Sequence, residues 1–153
     1  MIQRIQSIYL LASAVLVAVA TFFYFAEFSF VDYHIIFSPY AITASMPGFF
    51  ETQSMLSLSA SMWIMVIVSV GSIFCYKNRK LQLNIIRYEC LFKIALIVFV
   101  AFFIYRLSAA ENVMAMQLKT ASLLLVISIV TDVLAFLAIR KDENLVRSID
   151  RIR

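Results

Sequence analysis

Long apolar runs dominate the chain, and polar positions gather between them. Four stretches are long enough to cross a hydrocarbon core of about 30 Å, which takes about 20 mostly apolar helical residues. They run over about residues 5–26, 55–76, 90–107 and 118–139. The pattern predicts an all-α membrane protein, a four-transmembrane-helix bundle forming a single domain over residues 1–153. Residues 27–54 form the one long connection. There "EFSFVDYHIIF", Glu27 to Phe37, partly alternates polar with aromatic or branched residues, as a strand does. "SPY" offers a turn and "AITAS" a return, so a small β-hairpin over the outer helix ends is expected. Its aromatics, Phe28, Phe30, Tyr33, Phe37, Tyr40, Phe49 and Phe50, suit the lipid–water boundary.

Composition agrees with the pattern. The 153 residues are 63% hydrophobic and 14% charged, against about 25% charged in ordinary soluble domains. Arg4, the apolar run after it and "AVA" at 18–20 have the form of a signal peptide, but apolar residues continue through "TFFYFA" and favour an uncleaved first helix.

Charge sets the orientation. Lys77, Arg79, Lys80 and Arg87 crowd the connection between the second and third spans, and Arg140, Lys141, Arg147, Arg151 and Arg153 follow the fourth, whereas residues 27–54 hold no Lys or Arg. Flanking positive charge stays cytoplasmic, so both termini are expected inside and the 27–54 segment outside. The sequence pI of about 9.2 then reports topology and contact with anionic lipid, not nucleic-acid binding, because the cations are split among membrane edges without interleaved aromatics.

Catalytic chemistry has little to build on. His34 is the only histidine; Glu27, Asp32 and Glu51 near it lack the short paired spacing of zinc sites. A Ser-His-Asp triad would depend on that same histidine, and there is no glycine-rich phosphate loop. No enzyme activity, cofactor or metal is expected, and Cys75 and Cys90, both near the cytoplasmic face, are expected to stay reduced.

Asp132, in "SIVTDVLAF", is the clearest ionisable residue inside a span. It costs about 2.5–3.5 kcal/mol at a helix centre, which the surrounding Leu, Ile and Val offset, and it should face the bundle. Lys93 suggests itself as an ion-pair partner. Counted from a third span starting near residue 90, however, Lys93 sits shallower than Asp132, and each side chain leans toward its own helix N-terminus and away from the other. Lys93 is therefore expected to snorkel to the headgroups or meet Glu89 one turn back. Ser13 and Ser69 match the depth of Asp132 better, which predicts an intramembrane polar cluster of Asp132, Ser13 and Ser69. Its structural use is a polar lock; its functional alternative is a proton or ion relay. Arg106 and Glu111 are expected to pair at the outer edge.

The chain ends in "KDENLVRSIDRIR", which continues the fourth span without Gly or Pro. On a helical wheel Leu145, Ile149 and Ile152 share a face bordered by Val146, beside a stripe of Arg140, Asn144, Arg147 and Arg151. Glu143 and Asp150 flank Arg147 at helical spacing, so the polar face forms a ladder of weak pairs. Asp142, Glu143 and Asp150 weaken attraction to lipid. They favour docking on a protein through Arg140, Lys141, Leu145, Arg147, Ile149, Arg151 and Ile152, against the alternatives of a headgroup-lying helix or a solvated cap that only fixes topology.

"MIQRIQSIYLL" at the start and "AIRKDENLVRSIDRIR" at the finish resemble an uncharacterised family of small integral membrane proteins of Bacteroidota, classed as a domain of unknown function. Gln3, Arg4, Gln6, Arg140, Lys141, Asp142, Leu145, Val146, Arg147, Asp150, Arg151 and Arg153 carry the resemblance. It implies a four-helix protein of the bacterial inner membrane and transfers no activity. The expected function is a non-enzymatic membrane interaction or accessory subunit, with the lipid bilayer and a cytoplasmic-face protein as partners; the alternative is a small oligomeric transporter or ion-coupled carrier using Asp132.

Overall fold

The computed structural model describes residues 2–46, 49–109 and 113–150. Among these, four long helices alternate with a sheet: α1 (Ile2–Ala20), β1 (Ala26–Phe30), β2 (His34–Phe37), β3 (Ala41–Met46), β4 (Phe49–Ser54), α2 (Leu56–Phe74), α3 (Arg79–Ser108), β5 (Val113–Leu118) and α4 (Thr120–Asp150). A single 3₁₀ turn, Cys75–Lys77, links α2 to α3. The expectation of an all-α bundle is overturned. Five strands form one antiparallel sheet in the order β4-β3-β2-β1-β5, and the fold is α+β.

Two sequence signals mislead. "EFSFVDYHIIF" is two strands, because the chain reverses between Phe30 and Tyr33, whose backbones bond at 2.9 Å. β5, "VMAMQL", has no alternating polarity to betray it. It becomes a strand by pairing with β1, as in Phe28 opposite Met116, and β1 is distant in sequence. Non-local pairing of this kind leaves no local periodicity to read. The first helix also ends at Ala20, not near residue 26, since the amide of Phe25 bonds the carbonyl of Phe37 at 2.8 Å and draws the chain into the sheet.

The third helix begins eleven residues before the expected position. Asn78 caps it, its side-chain carbonyl accepting the Leu81 amide at 3.2 Å, which satisfies one of the unpaired donors of the first turn. The segment "RKLQLNIIRYE" is too polar to read as a span, yet it forms the first three turns of α3 and buries Gln82, Ile86 and Glu89.

In fact one run of buried positions in each of the four helices, flanked by the also buried Ala14 and Ser59, follows one spacing, alternately four and three residues. They are Gln6, Leu10, Ser13, Val17 and Ala20 in α1; Leu58, Met62, Met65, Ser69 and Ser72 in α2; Gln82, Ile86, Glu89, Lys93, Leu96 and Val100 in α3; and Ala121, Leu125, Ser128, Asp132, Ala135 and Ile139 in α4. That is the seam of interlocking helices. α1 packs against α2 and α4, and α3 against the same two, closing a ring. The outward faces carry Leu91, Phe92, Val98, Leu123, Ile127 and Val130, all exposed. Polar groups thus sit inside among apolar ones while the outer faces are apolar, unlike those of a water-soluble bundle.

One face of the sheet closes the end of the ring. Phe25 and Phe37 pack among Met55, Leu58, Val100, Ala121 and Leu125, while Ala26, Phe28 and Phe30 pack on Ile104 and Leu107 of α3. Phe28, Phe30 and Phe37 are therefore buried between sheet and helices, not placed at a lipid–water boundary. Tyr40 is partly exposed and accepts a bond from the Trp63 indole at 3.4 Å.

Candidate functional site

All four helices contribute to one buried polar cluster. Lys93 Nζ lies 2.7 Å from Asp132 Oδ2, 2.8 Å from Glu89 Oε1 and 2.7 Å from Ser13 Oγ. These three acceptors use all three ammonium protons. Ser69 Oγ donates to the same Glu89 oxygen, and Ser13 Oγ reaches the Ser128 carbonyl at 3.2 Å. The side chains of Lys93, Glu89 and Asp132 are each at most 1% exposed. Glu89 Oε2 and Asp132 Oδ1 are buried and have no hydrogen-bond partner among the described residues.

Ser13, Ser69 and Asp132 are thus gathered, as their depths suggest, but the pivot is Lys93, which the sequence places at the headgroups or beside Glu89; the second contact forms, at 2.8 Å. The reason is the true start of α3. Arg79 Nη2 lies 3.2 Å from Asp142 Oδ2, so the beginning of α3 is level with Asp142 of α4. From there Lys93 is fourteen residues into α3, about 21 Å, and Asp132 ten residues back along α4, about 15 Å. Lys93 is the deeper of the two, so the lean of each side chain toward its own N-terminus brings them together instead of apart. Glu89 is anticipated from the sequence only as a neighbour of Lys93. Its seam spacing with Gln82, Ile86 and Lys93 is the signal available for it.

Two further polar staples hold the ring nearer the α3 start. Gln82 Nε2 donates to the Ser72 carbonyl at 3.1 Å, and Gln6 Nε2 to the Ala138 carbonyl at 3.3 Å. Between α2 and α3 a groove of about 360 Å³ is lined by Ile64, Val68, Ile85, Tyr88 and Phe92, with Glu89 at its wall.

The predicted docking residues divide. Arg140 and Lys141 are exposed beside Asn144 on α4, which continues as one helix to Asp150. The side chains of Leu145, Arg147 and Ile149, and Arg151 and Ile152 altogether, lie outside the described residues, as does Glu111, the expected partner of Arg106. His34 sits on the sheet, its Nδ1 3.2 Å from Ser29 Oγ, and among the described residues no three His, Cys, Asp or Glu side chains cluster as metal ligands. Cys75 and Cys90 are free thiols.

The family described as Domain of unknown function (DUF4293) matches residues 2–152. The chain belongs to this family. The match takes in all four helices and the sheet, and the family's description names no activity. No curated protein and no solved structure matches the chain. Among the described residues of this DUF4293 protein, three helices are long and apolar enough to cross a membrane: Leu56–Phe74, Arg79–Ser108 and Thr120–Asn144, with mean hydropathies of 1.9, 2.3 and 2.5. The apolar helix Ile5–Ala20 is shorter.

Proposed function

We propose that this DUF4293 protein is a non-enzymatic interaction or accessory subunit of a bacterial inner membrane, with four spans, both termini cytoplasmic and the sheet outside. The docking element is the end of α4. One observation carries the reading: α4 is a single helix of 31 residues, Thr120–Asp150, about 46 Å long at 1.5 Å per residue, well beyond a hydrocarbon core of about 30 Å. The Arg79–Asp142 pair braces its emerging part against the start of α3. The helix beyond that brace therefore leaves the bundle stiff, with Arg140 and Lys141 exposed at its root.

The test is crosslinking and affinity purification from native membranes, comparing the full chain, a truncation lacking residues 141–153, and Asp132→Asn. The reading expects a partner captured by the full chain and by Asp132→Asn to be lost on truncation. An unchanged capture profile after truncation overturns it.

A second reading, an ion-coupled carrier, is supported by the deep cluster: Asp132 has a second carboxylate, Glu89, and an ammonium as neighbours. It expects Asp132→Asn to abolish function while the truncation spares it.

A further inference from the structure

The buried cluster has an unbalanced charge. One ammonium faces two carboxyl groups. Lys93 has spent its three protons on Asp132 Oδ2, Glu89 Oε1 and Ser13 Oγ. Ser69 donates to an oxygen that Lys93 already serves. What remains is Glu89 Oε2 and Asp132 Oδ1, both shut off from solvent and both without a donor among the described residues. With every group ionised the cluster would hold a net charge of −1 in the middle of an apolar bundle. A charge in that setting costs far more than a neutral group, and a carboxylate oxygen left without a donor adds the cost of its lost hydration.

We infer that the cluster is a proton-binding site: Glu89 and Asp132 together hold one proton in addition to those of Lys93, on one of their two unpartnered oxygens. The bound proton makes the cluster neutral, and it belongs to the pair. A proton fits where a larger cation does not. Two free oxygens suffice for it, whereas a metal cation takes a shell of several oxygen ligands, commonly six or more. Around the pair, α1 and α2 present the hydroxyls of Ser13 and Ser69, α4 presents Asp132, and α3 presents Glu89, Lys93 and the half-buried thiol of Cys90. Glu89 also walls the apolar groove between α2 and α3, with its carboxyl oxygens turned away from solvent. The site stands whether or not the tail of α4 docks a partner.

Charge counting makes an unusual demand on variants. Glu89→Gln leaves Lys93 with Asp132, a neutral pair; Asp132→Asn leaves Lys93 with Glu89, also neutral. Either single amide should release the extra proton, although each keeps one carboxyl in place. The experiment is infrared spectroscopy of the full chain in lipid vesicles at neutral pH, with carbon-13 carboxyl labels on Glu or Asp. The expected result is a protonated-acid carbonyl band in the wild type that shifts with one of these labels and disappears in both variants. No such band in the wild type overturns the inference, and so does a band that persists in either variant. Loss of the wild-type band on adding sodium chloride at fixed pH also overturns it, because the site would then take a metal cation in the proton's place. If the variants fail to fold, the labelled wild type decides alone: a band shifting with a label supports the site, and its absence removes it.

Discussion

Lys93 Nζ and Asp132 Oδ2 meet at 2.7 Å across the interface of two antiparallel helices, 39 residues apart in sequence. Their meeting depends on where α3 begins. Moving its start from residue 90 to Arg79 turns Lys93 from a headgroup-seeking lysine into the centre of the bundle, linked to α1 through Ser13, to α2 through Glu89 and Ser69, and to α4 through Asp132.

Removing one member strands the others. Lys93→Met is expected to cost about 3–5 kcal/mol, because it leaves two buried carboxyl groups without their cation. The triple replacement Lys93→Met, Glu89→Leu, Asp132→Leu should recover most of that loss, since a well-packed apolar set avoids the burial of charge altogether. Thermal unfolding in detergent micelles reads both. A triple variant less stable than Lys93→Met contradicts the account.

The sheet has its own ion pair. Lys119 Nζ lies 2.8 Å from Glu27 Oε2, joining the start of α4 to β1, with both side chains about one-third exposed. The hydrogen bond from Lys119, and then its charge, hold the Glu27 carboxyl below its ordinary value of 4.5. A group with a lowered folded value stabilises above its unfolded value and loses that contribution as pH falls through the folded one. Amide exchange in β1 and β5 is therefore expected to quicken as pH drops below 4.5 after correction for intrinsic rates, and Lys119→Ala should remove that part of the pH dependence.

Phe28 ties the sheet to the bundle. It is fully buried and packs with Ala26 and Phe30 on Ile104 and Leu107. Phe28→Ala is expected to cost about 3–5 kcal/mol and to expose the strands to proteases before the helices. Limited proteolysis followed by mass mapping distinguishes this from uniform destabilisation.

The brace at the other end is weaker. Arg79 and Asp142 keep side-chain exposures of 31% and 13%, so Arg79→Ala should cost only about 0.2–1 kcal/mol in overall stability. Its larger effect is local: amide exchange in α4 from Arg140 to Asn144 should rise while the polar cluster is unchanged. Equal protection in the two proteins would mean that the pair does not hold the tail.

Much of the helical framework is legible in the sequence. Long apolar runs announce helices, and burial of Asp132 follows from the cost of leaving a carboxylate in hydrocarbon. The unbroken Ser128 to Arg153 segment announces one continuous helix, and α4 is described as such through Asp150. The inner stripe of α3 escapes notice because its buried positions include Gln82, Glu89 and Lys93. Such a stripe is passed over when hydrophobic residues are sought inside, whereas in lipid the apolar residues face outward and the polar ones pack inward.

Periodicity and composition, being local properties, are enough to announce four long helices and an inward-facing aspartate, though not where α1 ends or α3 begins. The hairpin of β2 and β3 around "SPY" is also legible, whereas β5 and the lysine at the cluster's centre are decided by tertiary structure alone. β5 is a strand because β1 lies beside it, and Lys93 meets Asp132 because α3 begins at Arg79, level with Asp142 of α4. Both are pairings between distant segments, whose register exists only once the helices have packed.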